Sequence, residues 1–385
     1  GDRENTCGGL LEPLSFESEG RSGVIIRYRC RTCRAELRNR AHRDDALPAH
    51  WRGAMAPDTR ADSPTGPAPC EEERKRARTL PTRILEFIRT ERLWEPDERV
   101  VVAVSGGLDS TVLLELLVEL GAGHGAHLEV ASIDHGLRPE SAGEVAQVGR
   151  RTHALGLPFH SLHLDMEPGP GVQLRARELR RASLESIGAD RIALAHHRDD
   201  QAETVLHHLT RGSGPRGLQG MASRQGGWVR PLLREPRSVL RAWAELRGLR
   251  WIEDPSNPTS LRGRMRSDLF PILEEIRPGA TAALARSARL LAREDDWMQH
   301  QVDQVWSVVC TAEGILRDEL ATLHPALQLR VLRRWCCEVP FPIRASQLEA
   351  AVGWQPQSGA RIELAGGWTL RATSRLLLLD APDES

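Results

Sequence analysis

The apolar run Val100–Val104 stops at Ser105-Gly106-Gly107-Leu108-Asp109-Ser110, and a second apolar segment, Thr111–Leu120, follows at once. The first run does not alternate, so it suits a strand buried on both faces, as in parallel sheets. The second has helical spacing. A strand that becomes a helix across two glycines commits the chain to an α/β arrangement. At that junction Gly106 and Gly107 let the backbone take positive φ and approach a ligand closely. The helix start offers free N–H groups and partial positive charge, which suit phosphate. Ser105 and Ser110 add hydroxyls, and Asp109 can hold Mg²⁺ against phosphate oxygens. A plain glycine turn with a capping serine uses the same residue types; the full hexapeptide behind a buried strand favours phosphate.

The alternation continues downstream. Leu128–Ile133, Phe159–Leu164 and Ile192–Ala195 read as strands. Helices are expected from Ser141 to about Leu155, over Leu174–Ile187 and from near Asp199. The expected fold class is therefore α/β, a doubly wound parallel sheet. Ligands bind such sheets at the carboxyl ends of the strands. Upstream, residues 44–80 are rich in Pro, Ala and charge without periodicity and read as a linker. After Pro271 the pattern is helical, and the chain ends on a helix and short strands around Gly366-Gly367. The expected domains are a zinc-ribbon-like extension (1–43), a flexible linker (44–80), a nucleotide-binding domain (81–235), a helical domain (236–320) and a small α+β domain (321–385).

Composition narrows the chemistry. The 385 residues carry a formal net charge of −1, so no global field announces a nucleic-acid partner. Lys75 is the sole lysine and lies upstream of the first strand, which excludes a Walker loop. No apolar run approaches the ~18 residues of a membrane span. The seven cysteines are odd in number and unevenly spaced, which argues against a disulfide framework and for a reducing cytoplasm. None falls between Cys70 and Cys310, so the catalytic segment supplies no sulfur for transfer. Cys30-Arg-Thr-Cys33 has zinc-knuckle spacing and Cys7-Gly-Gly is the usual context of a second knuckle. A closed zinc site needs four ligands; the fourth can be Cys70, a histidine such as His42, or a residue upstream. A metal-free remnant and a redox Cys-x-x-Cys stay open.

Further motifs end the later strands. "SIDHGLR" sets Asp134 and His135 after the second strand, and "LAHHRDDQAET" sets His196 and His197 after the fourth. On the helix that follows, Asp200, Glu203 and Thr204 share one face. Two carboxylates beside a nucleotide loop can receive a metal or a substrate ammonium; acids also simply favour helix starts. "QLRARELRRA" puts Arg177, Arg180 and Arg181 on adjacent helix faces, either a solvated surface or phosphate ligands whose binding depends on salt. "RGSGPRGLQGM", "RPLL" (230–233) and "WIEDPSNPTSLRGRMR" add Arg211, Arg262 and Arg266.

"SGGLDS" resembles the pyrophosphate loop of the ATP pyrophosphatase (PP-loop) group, which cleaves ATP between its α- and β-phosphates. With the later motifs in this order, residues 81–385 resemble the tRNA(Ile)-lysidine synthetase family, most strongly over 100–272. The resemblance implies a sheet of the adenine nucleotide alpha hydrolase-like type. It implies ATP and Mg²⁺ as cofactors, free L-lysine as co-substrate and a CAU-anticodon tRNA(Ile) as partner. ATP would adenylate O2 of the wobble cytidine, and the lysine amine would then attack C2 and expel AMP. The implied nucleotide ligands are Ser105, Gly106, Gly107, Leu108, Asp109, Ser110, Asp134 and His135. The implied catalytic residues are Asp109, His196, His197, Asp200 and Glu203, with Asp200 and Glu203 holding lysine. Arg177, Arg180, Arg211, Arg262 and Arg266 would contact tRNA. Arg181 stands where the family has an aromatic residue, and Gly263 where it has asparagine. Another PP-loop tRNA-base-modifying enzyme, or a nucleotide-dependent RNA-binding protein without catalysis, are the alternatives. A cytoplasmic location without membrane contact is expected, and a homodimer stays open.

Overall fold

The computed structural model describes residues 11–18, 24–30, 36–40, 68–134, 136, 141–164, 172–252, 261–336, 345–352 and 357–382. The chain divides into two units, Gly1–Pro67 and Ala68–Ser385. The first contains an antiparallel sheet of β1 (Leu11–Ser18), β2 (Val24–Cys30) and β3 (Glu36–Arg40), in that order. Cys7 and Cys33 lie outside the described residues, and Cys30 is described only as the backbone end of β2.

The second unit is built on β4 (Arg99–Ala103), β5 (His127–Asp134), β6 (Phe159–His163), β7 (Arg191–Ala193), β8 (Arg224–Gln225) and β9 (Trp228–Val229). They form one sheet in the order β6-β5-β4-β7-β9-β8, parallel except for the edge strand β8. The first strand of the sequence motif is thus central, and the order reverses beside it. That reversal point is where open α/β sheets bind ligands. Val100, Val101 and Val102 are all 0% exposed, which explains the unbroken apolar run.

On one face pack α1 (Glu71–Arg78), α2 (Leu80–Thr90), α3 (Leu108–Leu120) and, further along the chain, the helix Arg237–Leu246. Their shared core includes Ile84, Ile88, Leu113, Leu117, Leu240 and Trp243. Each such fully buried side chain is worth about 1.5–3 kcal/mol. The α4 helix (Ser141–Ala154) adds Val148 to this core. The other face buries Val101, Ala131, Ile192 and Trp228 against Leu184 of α5 (Val172–Glu185). After β7 comes α6 (Arg198–Thr210); with it in place, Arg237–Leu246 is α7.

Two expected boundaries move. The linker does not reach residue 80, because α1 occupies Glu71–Arg78. Its sequence lacks an apolar stripe, but its charges are ordered: Glu71, Glu72 and Glu73 open it, and Lys75, Arg76 and Arg78 close it. That order complements the helix dipole, and the Glu73 carboxylate accepts the Cys70 N–H at 2.8 Å. A helical domain does not begin at 236 either, since Val239, Leu240 and Trp243 of α7 are core residues of the sheet domain.

Beyond it, the chain runs through Leu261–Arg264, a π-helical turn Met265–Leu269, Phe270–Ile276 and the long α8 (Ala280–Val309). A separate core forms where Val302 and Val309 meet Val331, Leu332 and Cys336 near α9 (Pro325–Trp335). It also takes in the sheet β10 (Ile315–Leu316), β11 (Arg361–Glu363), β12 (Thr369–Ala372) and β13 (Leu376–Asp380), antiparallel in the order β10-β13-β12-β11. Among the described residues no helix is long and apolar enough to cross a membrane.

Candidate active site

The glycine turn after β4 is a hydrogen-bonded cradle. Gly106 has φ +82°, and a Cβ there would lie 2.6 Å from Ile252 Cδ1. Ile252 is held in place by its N–H, which donates to Gly106 O at 2.9 Å. The positive φ therefore requires glycine, and a side chain there would also have to displace the tip of Ile252. Gly107 caps α3, accepting the Thr111 N–H at 3.0 Å. Ser110 is buried; its hydroxyl donates to Gly107 O at 3.1 Å and accepts the Ser105 N–H at 3.2 Å. Ser110 thus braces the turn, and the exposed Ser105 sets its Oγ 3.2 Å from Ser110 Oγ. Leu108 anchors the turn in the core at 4% exposure. The first N–H groups of α3 are the free donors of a helix start.

Asp109 sits in the first turn of α3. One carboxylate oxygen, Oδ2, lies 3.7 Å from His197 Nε2, and Arg237 Nε approaches at 3.5 Å. The other, Oδ1, is buried without a hydrogen-bond partner. Burial pushes the carboxyl pKa up, but His197, Arg237 and Arg266 outweigh it and hold Asp109 below its ordinary value. The residue is ionised.

His197 ends the β7 connection and caps α6. Its Nδ1 accepts the Asp200 N–H at 3.3 Å, while its own N–H donates to Asp200 Oδ2 at 3.0 Å. With Nδ1 accepting, the neutral ring carries its proton on Nε2, which faces Asp109 and lies 3.4 Å from Asp200 Oδ2. The side chain is 1% exposed. Burial pulls its pKa down, but Asp200 and Asp109 overcome that and raise it above the ordinary histidine value.

Asp200 and Glu203 meet Arg266. Arg266 Nη2 donates to Asp200 Oδ1 at 2.6 Å and to Glu203 Oε2 at 3.1 Å, and its Nε donates to Glu203 Oε1. Ala202, Met265 and Phe270 form a small apolar cluster that pins the π-helical turn to α6 and delivers the guanidinium. Glu203 is 1% exposed; burial raises its pKa against the opposing pull of Arg266. Three carboxylates therefore face two guanidiniums, and one negative charge stays uncompensated while His197 is neutral.

The other expected residues scatter. Asp134 accepts the Ser141 hydroxyl at 2.5 Å and the Gly136 N–H at 2.9 Å, so it shapes the turn after β5. His135 lies outside the described residues. His196 is half-buried at the end of the β7 connection. Arg177 and Arg180 are exposed on α5, and Arg211 is exposed just past α6. Arg262 is described only as backbone of the helical turn Leu261–Arg264. Arg266, expected on tRNA, forks onto Asp200 and Glu203 in the ligand-free chain. The roles of Arg237 and Ile252 carried no local signal: they come 128 residues after Asp109 and far beyond the glycine turn. Among the described residues no group of three or more His, Cys, Asp or Glu can hold a metal ion.

A family described as PP-loop domain matches residues 77–273, and an RNHCP domain matches residues 1–49. Three curated relatives carry the name tRNA(Ile)-lysidine synthase. The one from Aromatoleum aromaticum is 38% identical over 267 residues, which cover 66% of this chain and 62% of that protein. The one from Novosphingobium aromaticivorans is 39% identical over 62% of this chain and 76% of that protein. The one from Rhodococcus erythropolis is 36% identical over 75% of this chain and 91% of that protein. The chain thus spans under two thirds of the Aromatoleum protein and most of the Rhodococcus one.

Proposed function

The chain belongs to the tRNA(Ile)-lysidine synthase family of PP-loop proteins, and on that premise we propose that it ligates L-lysine to C2 of the wobble cytidine of a CAU-anticodon tRNA(Ile). One observation carries the reading: His197 links the glycine turn to the carboxylate pair, with Nε2 3.7 Å from Asp109 and 3.4 Å from Asp200. A phosphate cradle and a cation site are thereby contiguous, as a reaction between an activated base and an amine requires.

The turn N–H groups and the Ser105 hydroxyl hold the triphosphate of ATP with its α-phosphorus toward the cytidine. O2 of the base attacks that phosphorus and pyrophosphate leaves. The amine of lysine then attacks C2, and AMP departs with the electron pair of the C2–O bond. Asp200 and Glu203 attract the ammonium groups of lysine through the uncompensated negative charge, sharing the carboxylates with Arg266. Glu203, with its raised pKa, takes the proton that the attacking nitrogen loses. Asp109 fits Mg²⁺, since its carboxylate is held ionised and Oδ1 accepts no hydrogen bond, its nearest cation being Arg237 Nε at 3.5 Å. Bound there, the ion would offset charge on the phosphate oxygens.

The test supplies the full chain with ATP, radiolabelled lysine and a CAU-anticodon tRNA(Ile) transcript. Label should enter the RNA with one AMP and one pyrophosphate per turnover. Release of ADP, or label only in a different tRNA, refutes the reading. Cytoplasm, where free lysine and tRNA meet, is the expected location. Zinc at Cys7, Cys30 and Cys33 is carried by spacing alone. Metal analysis should find one zinc per chain, lost in a Cys30→Ser/Cys33→Ser variant.

A further inference from the structure

The carboxyl end of β9 carries a cation that the described residues do not neutralise. Arg230 follows Val229 directly and is 9% exposed. Its Nη1 donates to Ala222 O at 2.7 Å, which fixes the fork, while its Nε is buried without a hydrogen-bond partner. Its charged neighbours are also cations. Burial, then Arg181 and Arg177, hold its pKa below the ordinary arginine value.

Local carboxylate does not resolve this. Glu185 is engaged elsewhere: it accepts the Trp228 indole N–H at 2.9 Å and lies 3.7 Å from Arg181, whose guanidinium covers the Trp228 ring at 4.9 Å. Among the described residues no carboxylate comes within ion-pair distance of Arg177, Arg180 or Arg230. A buried guanidinium beside like charges is costly unless something supplies the missing anion. Its N–H fork matches phosphate oxygens.

Position narrows the source. β9 pairs in parallel with β7, and β7 with β4, so their carboxyl ends align. Two strand spacings separate Arg230 from the glycine turn, about 10 Å. A triphosphate seated on the turn therefore does not need Arg230, whereas a polymer crossing the top of the sheet reaches both. The exposed Arg177 and Arg181 open the site toward solvent, as a backbone requires.

We infer that Arg230, with Arg177 and Arg181 beside it, forms a second phosphate site that grips an RNA backbone phosphodiester next to the modified base. The identity of the anion rests on the RNA-substrate reading above. Arg230 acts as a positioning residue: it fixes the backbone so that the base meets the nucleotide held at β4.

Filter binding of an anticodon stem–loop RNA to the full chain, across a KCl series and without ATP or lysine, tests this independently of turnover. Arg230→Met should weaken RNA binding about tenfold and lower the slope of log K against log salt by roughly 0.7–0.9, the increment for one phosphate contact. ATP affinity, measured in parallel, should not change. Arg230→Lys keeps the charge but loses the fork, so it should weaken binding several-fold at an unchanged slope. Should Arg230→Met not fold, Arg230→Lys decides: wild-type RNA affinity in that variant overturns the assignment. A folded Arg230→Met with an unaltered slope overturns it too, as does loss of ATP affinity in place of RNA affinity. Loss of RNA binding as expected, in a chain that attaches no lysine, leaves this site standing and removes the proposed activity.

Discussion

Arg266→Met tests the ion-pair core of the site most directly. Glu203 is 1% exposed and Asp200 12% exposed at the side chain, and Arg266 is the guanidinium that forks onto both. Removing it leaves a buried carboxylate without its partner. Breaking a fully buried pair costs about 3–5 kcal/mol. Arg266 is itself 35% exposed, so water recovers part of that, and about 2–4 kcal/mol is expected. Glu203→Gln keeps the shape and removes one charge, at about 1–2 kcal/mol. The double variant removes both partners and should cost less than the sum by about 1–2 kcal/mol, the coupling of groups in contact. Urea unfolding followed by tryptophan fluorescence measures all three, using the transition of the sheet domain. Additive single effects, or an Arg266→Met cost below about 0.5 kcal/mol, would show that the fork does not form in the ligand-free protein.

Asp109→Asn should lower lysine incorporation by about 10²–10³-fold, the scale for losing one preorganised electrostatic contact, while RNA binding by filter assay stays intact. Gly106→Ala meets Ile252 Cδ1 at 2.6 Å and keeps φ +82°, so thermal melting should show a loss of about 1–2 kcal/mol and the KM for ATP should rise. Ile252→Ala in the same chain should recover only the steric part. The raised pKa of His197 makes stability depend on pH: its contribution is present below the unfolded value of 6.5 and is lost as pH rises through the folded value above it. Asp109→Asn removes one cause of that shift, so the fall in stability from pH 6.5 upward should be smaller and end at lower pH than in the parent chain, by denaturant titration at each pH.

The alternation of strands and helices could be read along the chain because each element announces itself over a few neighbours. Val100–Val104 is unbroken because β4 is buried on both faces, and the glycine turn is legible because it is contiguous. The helix α1 was not legible, since an ordered sequence of charges leaves no apolar period. Neither was β9, two residues long and recruited by its register with β7. Within the site, Asp200 and Glu203 share a face by helix geometry alone, so their pairing follows from spacing. Arg266 lies in the same series of motifs, yet its place is invisible along the chain: it reaches Glu203 across 63 residues only because Met265 and Phe270 pack beside Ala202. Arg237 reaches Asp109 across 128 residues through the seating of α7. The local chain thus determined the turn, the sheet class and the carboxylate pair, because period and spacing act between neighbours. Which cations answer those carboxylates, and which arginine is left unanswered at β9, was decided by tertiary packing, because an ion pair depends on distance in space and no local pattern encodes that distance.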